Sequence, residues 1–257
     1  MKTISKRKKI AISSAVLSLM LFSIPFLTFK WSLGVFAILA LASYGLSVWS
    51  LLIGLLGIEF ITLFILPVLH ATTFGLLFLQ VDLSLFFKVL LTIVFGITLY
   101  IILLAENIYN VSAERSIPLL RAAHTVGYIV TLFVSFAFFS LLFGVGINLV
   151  LLTLISFVVG TLLFLQSFWQ IELKEFLSSE VLLTSVICSL ILSEIIFVSS
   201  FWPFSPAAAG LASATGVYVL IGIINHKIKG DLSVRAVKEY LFVGIAVFIL
   251  MLVLVNS

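Results

Sequence analysis

Apolar runs of about twenty residues, the length needed to cross ~30 Å of hydrocarbon at 1.5 Å per residue, recur along most of this chain. Only short polar connections separate them. Of the 257 residues, 63% are hydrophobic and 9% are charged, whereas soluble domains carry about 25% charged residues. A water-soluble globule cannot bury this much apolar surface. We therefore predict an all-α, polytopic integral membrane helix bundle.

The runs predict about nine transmembrane helices with short loops. Residues 1–9 form a basic cytoplasmic N-terminus, and the first run is longer than the 7–15-residue core typical of a signal peptide, so we expect it to stay uncleaved. The run from Trp31 to Gln80 is too long for one span, and we place its break near Gly54 and Gly57. A single transmembrane domain over 10–255 then contains spans at about 10–29, 32–52, 59–80, 84–106, 117–142, 147–170, 178–201, 206–226 and 236–255.

The distribution of basic residues supports an odd number of spans. With nine spans and a cytoplasmic N-terminus, only Lys30 and Lys88 of the 14 Lys and Arg residues fall outside. If residues 31–80 formed one helix, every later loop would change sides and most cations would lie outside. The positive-inside rule therefore favours nine spans, with the C-terminus on the periplasmic or extracellular side.

The polar stretch from Glu106 to Tyr128 joins predicted helices four and five. Glu106 and Asn110 are four residues apart, so they share a face if helix four continues to Asn110. Ser116 is a predicted N-cap of helix five, with Pro118 tolerated in the first turn.

Arg121, His124, Thr125 and Tyr128 recur at i, i+3, i+4 and i+7 and form a polar stripe. Lipid penalises such a stripe, so we expect it to face other helices, with Arg121 paired to Glu106. Two interpretations are open: a clamp that fixes the crossing of helices four and five, or a cytoplasm-facing site for an anion, headgroup or proton. The candidate residues of this α4–α5 cluster are Glu106, Asn107, Asn110, Arg121, His124 and Tyr128.

Two titratable groups are predicted deeper in the membrane, His70 in helix three and Glu194 in helix seven. An ionised side chain at such depth costs at least ~2.5–3.5 kcal/mol, so we expect both to be neutral unless each finds a partner. Intramembrane ionisable residues are functional candidates by default. The alternative is a hydrogen bond to a backbone carbonyl or a nearby serine, and helix seven offers Ser185, Ser189 and Ser193.

Helix eight carries small residues at four-residue spacing, Ala208, Ala212 and Gly216. Such a stripe lets another helix approach closely. We expect it to pack within this chain or to meet another membrane protein or a second copy.

Catalytic and metal-binding motifs do not occur. No Gly-x-Ser-x-Gly elbow, His-Glu-x-x-His sequence or Walker loop is present, and three His and one Cys are too scattered for structural zinc. A haem held by His70 and His124 is disfavoured because the two differ in depth. We expect no catalytic residue, no metal, no cofactor and no nucleic-acid partner.

Three segments resemble a family of uncharacterised bacterial multi-pass membrane proteins, a domain of unknown function. They are Ala105–His124 (AENIYNVSAERSIPLLRAAH), Ser200–Pro206 (SFWPFSP) and Val237–Gly244 (VKEYLFVG). The resemblance covers most of the chain from helix three onward. It implies a bacterial cytoplasmic (inner) membrane and no known activity, and it supplies no functional residues.

Two classes of function remain open. The first is a non-enzymatic membrane component: a scaffold, an assembly factor or a partner of another membrane protein. The second is a proton-coupled or small-solute transporter that uses Glu194, His70 and the 106–124 polar cluster. No sequence motif indicates a membrane enzyme. A water-filled cavity linking the polar residues would favour transport, and a dry interior would favour the scaffold.

The predicted topology is testable with a reporter that is active only in the periplasm. Fused after Ser257, it is expected to be active, because nine spans bring the C-terminus outside. The same reporter fused after Lys174, in a predicted cytoplasmic loop, is the control and should be silent. A silent but intact and inserted Ser257 fusion would mean an even number of spans.

Overall fold

The structure, a computed structural model, describes residues 5–52, 55, 57–114 and 119–256. Within these residues the chain forms nine α-helices and no strand, which confirms the predicted all-α bundle. A short 3-10 helix, Ile24–Phe26, follows the first helix. The α-helices are α1 Lys6–Ser23, α2 Phe29–Leu51, α3 Glu59–Gln80, α4 Leu85–Glu114, α5 Leu120–Gly144, α6 Leu149–Glu172, α7 Ser179–Ser199, α8 Pro206–Lys229 and α9 Val234–Asn256.

Eight helices in the described part of the chain, α1 to α8, are long and apolar enough to cross a membrane. Helices suit this solvent because every backbone N–H and C=O group is satisfied within the same segment. The chain is therefore a multi-pass helical membrane protein. The predicted ninth span, 236–255, falls within α9. Some of its last side chains lie outside the described residues, so this span stays a prediction.

The helix limits show what apolar runs can and cannot predict. Helix α3 begins and ends at the predicted residues, 59 and 80, whereas α4 continues to Glu114 instead of ending at 106. The polar residues after 106 mark the end of the apolar run, not the end of helical hydrogen bonding. In the predicted break, Gly57 has a left-handed φ of 51°. Gly54, Ser116 and Pro118 lie outside the described residues.

Side-chain caps begin the last four helices and keep the connections short. Asn148 Oδ1 accepts a hydrogen bond from the N–H of Leu151 at 2.8 Å, at the start of α6. Ser178, Ser205 and Ser233 cap α7, α8 and α9 in the same way. Gly230 ends α8 with a φ of 74°, a conformation that favours glycine. Short connections of this kind make successive helices antiparallel neighbours.

The first of two compact units covers Met1–Val130 and has α1 to α4 as its main helices. Helices α1 and α3 each pack against both α2 and α4, so the four helices close into a ring. Helix α3 is the most buried of them. Close approach of α1 to α4 depends on Gly96, where an added methyl group would lie 2.5 Å from Ser18 Oγ.

The second unit covers Thr131–Ser257. In the described part of this unit, α6 and α7 pack together extensively, and Gly160 lies against Ser189 and Leu192. The hydroxyl oxygens of Thr161 and Ser189 are 2.8 Å apart across this interface. Helix α8 packs against α6, α7 and α9. Within the described residues, α7 and α9 flank α8 without an extensive contact between themselves.

Candidate functional site

The α4–α5 cluster is built on the extension of α4 beyond the predicted end of the span. Because the helix continues to Glu114, Glu106 and Asn110 share one face, as their four-residue spacing predicts. Both side chains are buried, with 1% and 2% of their surface exposed. Asn107 points to a less buried side, and its Oδ1 has no hydrogen-bond partner among the described residues.

Asn110 joins α4 to the end of α2. Its Nδ2 donates a hydrogen bond to the carbonyl oxygen of Leu51 at 3.1 Å. Leu51 is the last residue of α2, and carbonyls in the last turn of a helix have no partner within the helix. Both residues are buried, so water does not replace this bond. The amide therefore stabilises the packing of two helices.

Tyr109 and His124 connect α4 to α5. Their ring centroids are 5.4 Å apart, with an angle of 33° between the planes. Tyr109 is fully buried, and its hydroxyl has no hydrogen-bond partner in the described part of the chain. Sequence reasoning missed this tyrosine, although its position three residues after Glu106 places it on the same face of the helix.

The polar stripe of α5 does not face its neighbours as a whole. Arg121 and Thr125 are exposed, and the Thr125 hydroxyl donates to the Arg121 carbonyl of its own helix. His124 and Tyr128 are half-buried and lie nearer the inward face, which is centred on Ala123 and Gly127. The expectation that all four residues face other helices is therefore wrong for Arg121 and Thr125.

The described residues do not form the predicted ion pair between Glu106 and Arg121. Glu106 is buried, whereas Arg121 is exposed, so the two side chains lie in different environments. The ion pairs present among the described residues are at helix ends: Lys88–Asp82, Lys174–Glu172 and Arg235–Glu239. Glu106 and Arg121 were predicted at a similar depth on neighbouring helices, but depth does not determine which way a side chain points.

His70 forms a direct contact between α3 and α4. Its Nε2 is 2.8 Å from Thr98 Oγ1, whose own hydroxyl is 2.8 Å from the Val94 carbonyl oxygen. A hydroxyl that donates to the carbonyl accepts from Nε2–H, and we assign this tautomer. The ring stacks on Phe95 at 5.2 Å with an angle of 6°, and Phe74 lies 4.8 Å away. His70 is thus enclosed, with 1% of its surface exposed.

Glu194 has a different environment. It lines a cavity of about 650 Å³ between α7, α8 and α9, which we call the α7–α9 groove. The other lining residues are apolar apart from two hydroxyl side chains, Ser199 and Thr215. In the described part of the chain nothing donates a hydrogen bond to Glu194. The described residues that line the groove come from α7, α8, α9 and the turn between α7 and α8.

The serines of α7 that the sequence offered as hydrogen-bond partners of Glu194 donate to backbone carbonyls of their own helix. Ser185 donates to the carbonyl of Val181 at 2.7 Å, and Ser193 donates to that of Leu190 at 2.8 Å. Ser189 similarly donates within α7 and also meets Thr161. These three hydroxyl groups therefore donate to backbone carbonyls of α7 and not to Glu194.

The small-residue stripe of α8 is partly used within this chain. Gly216 is buried and lies against Leu192 and Ile195 of α7. Ala208 and Ala212 are only half-buried, and Ala212 lines the α7–α9 groove. Gly210, which is not in the stripe, lies against Ser140 and the Phe136 carbonyl of α5.

These observations define a multi-pass helical membrane protein in which buried polar groups join helices and one carboxyl group lines an apolar groove. A family model described as "Protein of unknown function (DUF5656)" matches residues 12–254, so the chain belongs to that family. The predicted membership of an uncharacterised family is thus confirmed. No curated protein and no solved structure matches the chain.

The buried and exposed parts of the α4–α5 cluster are expected to respond differently to alanine. Asn110→Ala should lower the free energy of unfolding by about 1–3 kcal/mol, because it leaves the Leu51 carbonyl unsatisfied. Arg121→Ala, the control in the same cluster, should change it by no more than about 0.5 kcal/mol. Thermal unfolding of both variants in detergent measures the difference. Equal losses would show that the cluster is not divided in this way.

Proposed function

We propose that this protein is a non-enzymatic membrane component, a scaffold or assembly factor that binds another membrane protein. The observation that carries the proposal is the α7–α9 groove. Several of its lining side chains are largely exposed, including Val198 at 56%, Ile245 at 58% and Phe248 at 49%. Three helices therefore present apolar faces to a groove that is open on the surface of the chain.

The composition of the groove favours protein over lipid as its ligand. Lipid tails are as apolar as leucine, so a surface for lipid needs no special residues. This groove has small residues, Ala212, Gly216 and Gly244, together with Glu194. Small residues allow close approach of a backbone, and a carboxyl group in hydrocarbon is costly without a partner.

The other polar groups support a structural role for the rest of the molecule. Asn110 joins α4 to α2, and His70 joins α3 to α4. Polar side chains that hold helices together are what a rigid membrane component requires.

We further propose a bacterial cytoplasmic membrane as the location, with the N-terminus in the cytoplasm and the C-terminus on the periplasmic or extracellular side. The asymmetry of Lys and Arg along the chain supports this orientation. The family resemblance stated above supports the bacterial assignment.

Site-specific photo-crosslinking tests the proposed function. A photoreactive residue at Ile245, in the groove, should form adducts with another membrane protein in living cells. The matched control is Ile249, on the same helix, of the same residue type and 54% exposed, but outside the groove. Protein adducts at 245 and not at 249 are expected. The same adducts at both positions, or none at 245, would contradict the proposal.

A second candidate function, a proton-coupled or small-solute transporter, is favoured by one observation: Glu194 faces the groove without a hydrogen-bond partner in the described chain. Purified protein in liposomes containing a pH-sensitive dye separates the two functions. For a transporter, Glu194→Gln should abolish proton flux, since glutamine cannot carry a proton. For the non-enzymatic component, wild type and Glu194→Gln should give the same background flux.

A further inference from the structure

We infer that the ligand of the α7–α9 groove is a transmembrane helix of a different membrane protein, with a Lys or Arg at the depth of Glu194. This inference rests on the proposed function and names the partner's chemistry.

The shape of the groove suits a helix. Its floor is one face of α8, from Ala212 to Ile223, which extends for about 16 Å at 1.5 Å per residue. Helices α7 and α9 form the two sides. In the first unit, four helices close into a ring, whereas in the described part of the second unit α7 and α9 flank α8 without an extensive contact between themselves. A further helix at the usual distance of about 8–10 Å would contact all three.

The charge of the groove indicates what that helix carries. Among the described side chains that line the groove, Glu194 is the only ionisable one. A lone carboxylate and a lone basic side chain are each costly in hydrocarbon, and intramembrane charges usually pair. Removing one member of such a pair leaves the other uncompensated, so the pair selects its partner strongly.

The position of Glu194 sets the depth of the complementary residue. Glu194 lies five residues before Ser199, the last residue of α7. Five residues of helix correspond to about 7.5 Å. The partner's Lys or Arg is therefore expected one to two turns inside the end of its helix, on the side where α7 ends.

A second copy of this chain does not supply that residue. In the predicted topology, the cations on the side of Glu194 are Lys30 and Lys88. The side chain of Lys88 is only 15% exposed, is 3.4 Å from Asp82 and lies over the ring of Phe26. Lys30 is the second residue of α2, at the helix end, whereas Glu194 lies more than one turn inside the end of α7. The partner is therefore a different protein.

The test uses the full-length protein in cells, with the photoreactive residue at Ile245 and the partner identified by mass spectrometry. Glu194→Gln is expected to reduce the adduct at least tenfold, and Glu194→Lys to abolish it. Changing the partner's basic residue to Glu should restore the adduct to the Glu194→Lys variant. Thr215→Val, a loss of a polar but uncharged group in the same groove, should leave the yield unchanged. Membrane levels and gel filtration of each variant control for folding.

The outcomes separate the inference from the proposed function. A protein adduct that persists in Glu194→Gln, or a partner helix without a basic residue, overturns the inference and leaves the proposed function standing. An adduct to a second copy of this chain likewise overturns it. Adducts to lipid alone overturn both. Only the charge exchange, in which two individually defective variants bind each other, establishes the pair.

Discussion

A bilayer interior offers no water for hydrogen bonding, so each polar group there must be satisfied by the protein itself. The helices meet this requirement for the backbone. Most hydroxyl side chains meet it locally, as Ser185 does by donating to the carbonyl of Val181. These groups create no need for a particular neighbour. Amide, imidazole and carboxyl groups cannot all be satisfied within one helix, and they determine which helices must meet.

In the first unit, two such groups form hydrogen bonds across helix interfaces. The Asn110 amide bonds the last carbonyl of α2, and the His70 imidazole bonds Thr98 of α4. Both residues are almost fully buried. An intramembrane hydrogen bond contributes only about 0.6 kcal/mol on average, so apolar packing supplies most of the stability. The polar contacts select one arrangement of helices among many apolar ones.

Glu194 gives the second unit a functional candidate. It lines an open apolar groove, and no described side chain donates a hydrogen bond to it. A carboxyl group in this position lacks a hydrogen-bond donor, and a ligand can supply one. The groove presents a binding surface. The buried polar contacts hold the helices in place.

The sequence by itself determined the fold class and the approximate helices, because the thickness of hydrocarbon sets how long an apolar run must be. It also located the polar residues, including Glu106, Asn110, His70 and Glu194. Only the tertiary structure decided which of them meet. Lipid and protein interior are equally apolar, so an apolar pattern does not show which face of a helix is buried. For that reason Arg121 is exposed although the sequence paired it with Glu106, and Glu194 faces a groove instead of a serine.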